Sequence, residues 1–219
     1  MMDNKSRLKK ILEILEEQYP DAMCTLDFKT PHQLMVAAIL AAQSTDKKVN
    51  EITPALFEKY PDVYAFAEAD QTELEEMVKQ SGFYRQKAKS IIESAREIVA
   101  RHNGVVPDNI DDLIKLSGIG RKTANLIIGD AYGKPAVIVD THVKRISNRL
   151  GLTTNENPDK IEDDLRQILS EEDSTHFNHL IVALGRDICK APKPKCEICR
   201  LIELCPYGQQ NMTSKSLGL

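Results

Sequence analysis

Apolar positions recur along this chain at helical intervals. Leu8, Ile11, Leu12 and Leu15 fall at i, i+3, i+4 and i+7, which predicts one buried stripe on a helix over about residues 5–19. Pro31 suits the first turn of a second helix, where a missing N–H costs nothing. Leu34 to Ala42 is a run of nine apolar residues, so this helix is expected to be buried on nearly all sides. It gives out in Gln43, Ser44, Thr45 and Asp46. Ala88, Ile91, Ile92, Ala95, Ile98 and Val99 predict a long helix over Tyr84 to Arg101. Ala124, Ile127, Ile128 and Ala131 keep the same spacing, as do Phe177, Leu180, Ile181, Leu184 and Ile188. Alternation with a period of two is nearly missing. Ala136 to Val139 is the best strand candidate, and it is too short to make a sheet. The tail from Gln209 onward is polar and small and reads as frayed. The prediction is an all-α chain without a fixed-period repeat.

Composition narrows the class. The chain has 219 residues, 42% of them hydrophobic and 28% charged, which fits a folded protein. At ~150 residues per domain this is one large domain or two small ones. A membrane helix needs ~18 apolar residues in a row, so none is expected, and the first residues lack an export signal. The expected location is cytoplasmic. The net charge of -4 does not advertise a nucleic-acid binder. It does not exclude one, because phosphate contacts need a local basic face and not a basic total.

Three short segments carry candidate chemistry. The first is Leu116-Ser117-Gly118-Ile119-Gly120-Arg121-Lys122-Thr123-Ala124, joining a helix near Asp111 to Leu116 to one beginning near Arg121. Two glycines one residue apart permit positive φ and a close backbone approach. The next helix start offers free N–H groups to an anion. An ordinary glycine-capped turn between helices is the alternative. A Walker loop is not one, since Arg121 interrupts Gly-Lys and no strand precedes it.

The second is Lys122 taken with Asp140. A lysine at a helix start lies in the positive end of the dipole, an environment that suits an amine used as a nucleophile. Asp140 follows Val137-Ile138-Val139 and precedes Thr141-His142-Val143-Lys144-Arg145, where a helix should begin. It reads either as an N-cap or as a carboxylate held out on a rigid helix start. His142 reads as structural or as a sugar contact.

The third is Cys189, Cys196, Cys199 and Cys205, four of the five cysteines within seventeen residues. In a cytosolic chain such crowding points to a metal or cluster before disulfides. The outer gaps are wide and no histidine follows residue 180. This favours a [4Fe–4S] cluster and leaves zinc open. Lys190, Lys193 and Lys195 make the same stretch locally basic.

Taken together, L-S-G-I-G-R-K-T-A, V-D-T-H-V-K-R and the cysteine spacing resemble the endonuclease III family of base-excision DNA glycosylases, from about Leu34 to Cys205. The resemblance implies an all-α, two-lobed fold. One lobe would be a six-helix barrel, residues 25–133, with a helix-hairpin-helix over about 111–132. The other would hold residues 1–24 and 134–219 with the [4Fe–4S] cluster on the four cysteines, and DNA would enter between the lobes. It further implies that the Lys122 amine attacks C1′ of a damaged nucleotide and that Asp140 stabilises the charge developing on the sugar. Gln43 and Phe83 would fill the gap left by the extruded base. Ser117, Gly118, Ile119, Gly120, Arg121, Thr123 and His142 would contact the DNA. The family pattern commonly has proline where Ser117 stands and often leucine where Phe83 stands, and core packing is the other reading of Phe83. The implied activity is removal of oxidised or ring-saturated pyrimidines such as thymine glycol, followed by lyase cleavage 3′ to the abasic site. The implied partner is duplex DNA with damaged pyrimidines or abasic sites, met by a monomer, nucleoid-associated if the source is bacterial or archaeal. Adenine-mismatch relatives lack the lysine and carry a glutamate in the early helix, whereas residues 32–45 hold no carboxylate. A non-catalytic DNA-binding iron–sulfur protein is the reading from another class. It would have no use for Lys122 and Asp140.

Overall fold

The structure, a computed structural model, describes residues 3–216 and is all helical, with no β-strand among the described residues. The helices are α1 (Asn4–Gln18), α2 (Pro31–Ala41), α3 (Asp46–Lys59), α4 (Val63–Ala67), α5 (Gln71–Val78), α6 (Tyr84–His102), α7 (Ile110–Leu113), α8 (Arg121–Leu126), α9 (Thr141–Arg149), α10 (Pro158–Ile168), α11 (Asp173–Asp187) and α12 (Pro206–Ser216). No helix among the described residues is long and apolar enough to cross a membrane. The chain divides into two compact units, Cys24–Lys134 and Met1–Met23 with Pro135–Leu219.

The unit Cys24–Lys134 is built around α2 and α6. Every residue of α2 from Leu34 to Leu40 is buried, as its unbroken apolar run demands. Thr30 caps it through its hydroxyl and Pro31 occupies its first position. Along α6, Ala88, Ile91, Ile92, Ala95 and Ile98 form the buried stripe, and α2, α4 and α5 pack on it. Short helices begin on side-chain caps: Thr45 for α3, Asp62 for α4, Asp70 for α5 and Asn109 for α7. α8 continues as a π-helix over Ile127–Ala131.

The other unit gathers Leu8, Ile11, Leu12 and Leu15 of α1 against Val143, Ile146, Ile161, Leu165, Phe177, Leu180, Ile181 and Leu184. The crossing of α9 and α11 is close. A Cβ at Gly185 would meet His142 Nδ1 at 2.3 Å and Ile146 Cδ1 at 3.0 Å, so glycine in the last turn of α11 is what lets the two helices approach. Ala136 to Val139 forms no strand and has no regular secondary structure. The tail corrects the expectation of fraying: residues 206–216 form α12, and residues 217–219 lie outside the described residues.

Candidate functional site

The candidate residues fall in both units. In Cys24–Lys134 the centre is the hairpin between α7 and α8. Lys115 and Leu116 N–H groups close back on Asp112 and Leu113 carbonyls, and the Ile119 N–H donates to Leu116 at 3.2 Å. Gly118 has φ +78°, and a Cβ there would come within 2.8 Å of Ser90 Cβ on α6. Glycine is therefore required twice at this position, by backbone conformation and by the neighbouring helix. Gly120 is different. Its φ is -94° and a Cβ built on it would meet nothing within 4 Å. The fold does not need glycine at 120.

The hydrogen bonds sort the hairpin's candidate contacts. Among the described residues no acceptor takes the backbone N–H of Gly118, Gly120, Lys122 or Thr123. Four donors thus cluster at the turn and the first turn of α8. Ile119 is not among them, since its N–H is spent and its side chain is buried. It anchors the turn. Ser117 does not cap α8 as its chemistry allowed: Gly120 is the N-cap residue, and the Ser117 hydroxyl donates to Glu93 Oε2 at 2.8 Å. Arg121 is exposed, and Thr123 is half-buried. Lys122 is the second residue of α8 and is exposed, with no hydrogen-bond or ion-pair partner among the described residues of its own unit.

Two other candidates in this unit share a property invisible in their spacing. Gln43, after α2, and Phe83, before α6, both have left-handed backbones, φ 54° and 47°. Left-handed φ is uncommon outside glycine and calls for a local reason. Phe83 is 67% exposed, which removes the core-packing alternative. Gln43 is exposed as well. The Lys48 ammonium donates to Gln80 Oε1 at 2.8 Å and ties the start of α3 to the turn that leads to Phe83.

In the other unit, Asp140 is the N-cap of α9, its Oδ1 accepting the Val143 N–H at 2.7 Å. The carboxylate is half-buried, and the cap leaves its second oxygen outside this bond. His142 Nδ1 lies 3.2 Å from an Arg145 guanidinium nitrogen and packs over Gly185. Its ring is held within its unit. α9 then carries two arginines one turn apart that sequence reading did not single out. Arg145 donates to the Cys189 carbonyl at 3.1 Å. Arg149 donates to Cys189 Sγ at 3.3 Å and to the Lys190 and Ala191 carbonyls, both at 2.9 Å. It also sits 4.6 Å from the centre of the Tyr207 ring. The signal was present as arginines at i and i+4 on one helix face.

The four cysteines are all free and belong to one neighbourhood. Burial raises the Cys205 thiol, and charge on Cys189, Cys199 and Cys196 raises it further. Cys199 is raised by burial and then by Cys189 and Cys196. The sulfurs collect N–H donors: Gly208 N–H to Cys205 and the Asn211 amide to Cys196, both at 3.3 Å, besides Arg149 to Cys189. Such donors suit thiolates in a ligating role. Four cysteines whose sulfurs meet N–H donors are a donor set suited to a metal or cluster. Lys190, Lys193 and Lys195 are exposed on the same loop. Cys24 stands apart, and burial, aided by Asp130, pushes its thiol up to about 12, as an unreactive thiol requires.

Comparison with known proteins gives a consistent answer. The family described as HhH-GPD superfamily base excision DNA repair protein matches residues 36–171. Endonuclease III of Synechocystis sp. is 48% identical over 95% of this chain and 96% of its own length. Endonuclease III of Escherichia coli is 34% identical over 94% and 98% respectively. Among solved structures, a non-covalent endonuclease III–DNA complex superposes with a TM-score of 0.89 at 37% identity, covering 97% of this chain and all (100%) of that one. A trapped endonuclease III–DNA covalent intermediate gives 0.89 at 38% identity with the same coverage.

Proposed function

Because the chain belongs to the endonuclease III family within the HhH-GPD superfamily of base excision DNA repair proteins, we propose that it removes oxidised or ring-saturated pyrimidines of the thymine glycol type from duplex DNA and cuts the strand 3′ to the resulting abasic site. The observation that carries this reading is the exposed Lys122, whose amine has no partner among the described residues of its unit and whose backbone N–H belongs to the cluster of donors left without acceptors there. The N–H groups suit a DNA phosphate, which they grip without reading sequence. The amine suits a sugar carbon held beside that phosphate.

The chemistry then balances on this chain's own groups. The Lys122 Nζ lone pair bonds to C1′ as the C1′–N bond to the base breaks, and the base leaves with that bond's electron pair and a proton from Nζ. The C1′–O4′ bond then breaks with its electrons on O4′, which takes a proton from water, and Nζ and C1′ are left as a protonated Schiff base. That cation acidifies C2′, a C2′ proton is lost, and the 3′ C–O bond breaks with its electrons on the departing phosphate. Water hydrolyses the Schiff base and restores the amine. Asp140 is the carboxylate that stabilises positive charge on the sugar. Gln43 and Phe83 enter the space left by the extruded base, whose loss from the stack costs a few kcal/mol and less when it is damaged. Arg121, Thr123 and the Gly118 and Gly120 amides hold the backbone. His142, fixed by Arg145 and α11, is a sugar contact at most.

Cys189, Cys196, Cys199 and Cys205 would hold a [4Fe–4S] cluster. When bound, the cluster cross-links the loop that presents Lys190, Lys193 and Lys195. These lysines offer a second phosphate contact, and a cytoplasmic location follows from access to DNA.

Borohydride trapping on a duplex with one thymine glycol tests the reading. A covalent protein–DNA adduct is expected there and not on undamaged duplex. An adduct on neither thymine glycol nor a pre-formed abasic site would overturn it. Gly120→Ala tests the hairpin separately. The fold has room for the methyl group, so melting is expected to change by no more than the weaker N-cap of α8, about 1 kcal/mol or less. Binding to a duplex with an abasic-site analogue is expected to weaken about tenfold or more, since a charge-assisted hydrogen bond contributes about 1.5–3 kcal/mol. Equal affinity of the two proteins would remove the hairpin from the interface.

A further inference from the structure

Lys87, in the first turn of α6, is a charged residue that the chemistry above does not use. It is 5% exposed. Its ammonium donates to the Leu40 carbonyl at 2.8 Å and to the Ser81 carbonyl at 2.7 Å. Among the described residues no carboxylate pairs with it. Burial alone lowers its affinity for the proton. A methionine would fill the same space without a charge to desolvate, so the ammonium calls for a reason.

Its two acceptors supply one. Leu40 lies in the last turn of α2, three residues before Gln43. A helix leaves its last carbonyls without partners, and a lysine is a natural donor to them. Ser81 closes the turn that leads through Gly82 to Phe83. The Lys87 backbone N–H also donates to the Phe83 carbonyl at 3.1 Å. One residue therefore joins the two chain segments that carry the left-handed Gln43 and Phe83.

We propose that Lys87 is a positioning residue for base extrusion: its ammonium fixes the spacing between the segments bearing Gln43 and Phe83, and so the width of the wedge they offer to the duplex. This rests on the reading that those two side chains fill the gap left by the extruded base. Leu40 is fully buried in the core, so its carbonyl is a packed anchor for the ammonium. The Lys48–Gln80 bond braces the same two segments from the surface.

The test compares two substrates in the holoprotein. Lys87→Met keeps length and apolar volume and removes the donors; Lys87→Gln keeps an amide donor. Single-turnover base release from a thymine glycol duplex needs extrusion, and strand cleavage at a pre-formed abasic site has no base to extrude. Lys87→Met is expected to slow base release at least tenfold more than abasic cleavage, with part of the loss restored in Lys87→Gln. In a Gln43→Ala/Phe83→Ala background, Lys87→Met is expected to slow base release no further. Equal slowing on both substrates, or a full additional loss in that background, would overturn the proposal in favour of plain structural support. Should Lys87→Met not fold, Lys87→Gln is read on the same substrates, and failure of both to fold assigns Lys87 to stability and also overturns it. If Gln43→Ala/Phe83→Ala itself leaves base release intact, the gap-filling reading has failed and this one falls with it.

Discussion

Lys122→Gln is expected to abolish the borohydride-trapped adduct and to lower strand cleavage at an abasic site by at least about 10³-fold, equivalent to about 4 kcal/mol of transition-state stabilisation. Glutamine matches much of the lysine's length but offers an amide nitrogen whose lone pair is delocalised, so no Schiff base can form. The fold should not notice the change. Lys122 is exposed at the second position of α8 and holds no partner among the described residues of its unit. Glutamine and lysine differ little in helix propensity. Lesion-duplex affinity should fall only by the loss of one positive charge near a phosphate, visible as a shallower dependence of log affinity on log salt. The decisive pattern is therefore a split: chemistry gone, melting unchanged, binding mostly kept. Trapping that survives Lys122→Gln would move the nucleophile elsewhere.

Much of this molecule could be read from spacing, and the parts that could not have physical reasons. α2 announced itself by an unbroken apolar run, the mark of burial on all sides, and α6 by an apolar stripe of period 3.6. α3 did not, because Pro54 lies inside it; nor did α5, which is short, or α10, which is rich in charge. α12 has almost no apolar residues. Its contact with the cysteine loop runs instead through Gly208 and Asn211, polar donors to sulfur that no hydropathy pattern records.

The hairpin was legible as G-x-G, but the two glycines are not equivalent. Gly118 serves the fold, while Gly120 leaves open space that the fold does not use. Ser117 and Ile119 were legible only as neighbours. Their hydrogen bonds turn one toward Glu93 and spend the other inside the turn. The left-handed Gln43 and Phe83 and the buried Lys87 are tertiary facts, since nothing in those residue types announces positive φ or a desolvated ammonium.

Asp140→Asn is expected to leave stability within about 0.5 kcal/mol of the native protein, because asparagine caps helices about as well as aspartate. Base release should nonetheless fall about 10²–10³-fold, the loss of roughly 3–4 kcal/mol typical of removing one preorganised electrostatic partner of a transition state. The two effects part company because the carboxylate does two jobs with different requirements. The Val143 N–H needs only an oxygen acceptor at 2.7 Å, which the amide oxygen supplies. A cationic sugar needs a full negative charge, which the amide lacks. Asp140→Ala removes both and should cost about 1 kcal/mol of stability as well. The comparison of the two variants by melting and by single-turnover kinetics isolates the charge from the cap. Were Asp140 only a cap, Asp140→Asn would retain full base release and Asp140→Ala would lose activity only as far as it loses structure. Lost activity on an intact α9 would instead identify the cap of this helix as the place where the fold delivers a fixed negative charge to the reaction.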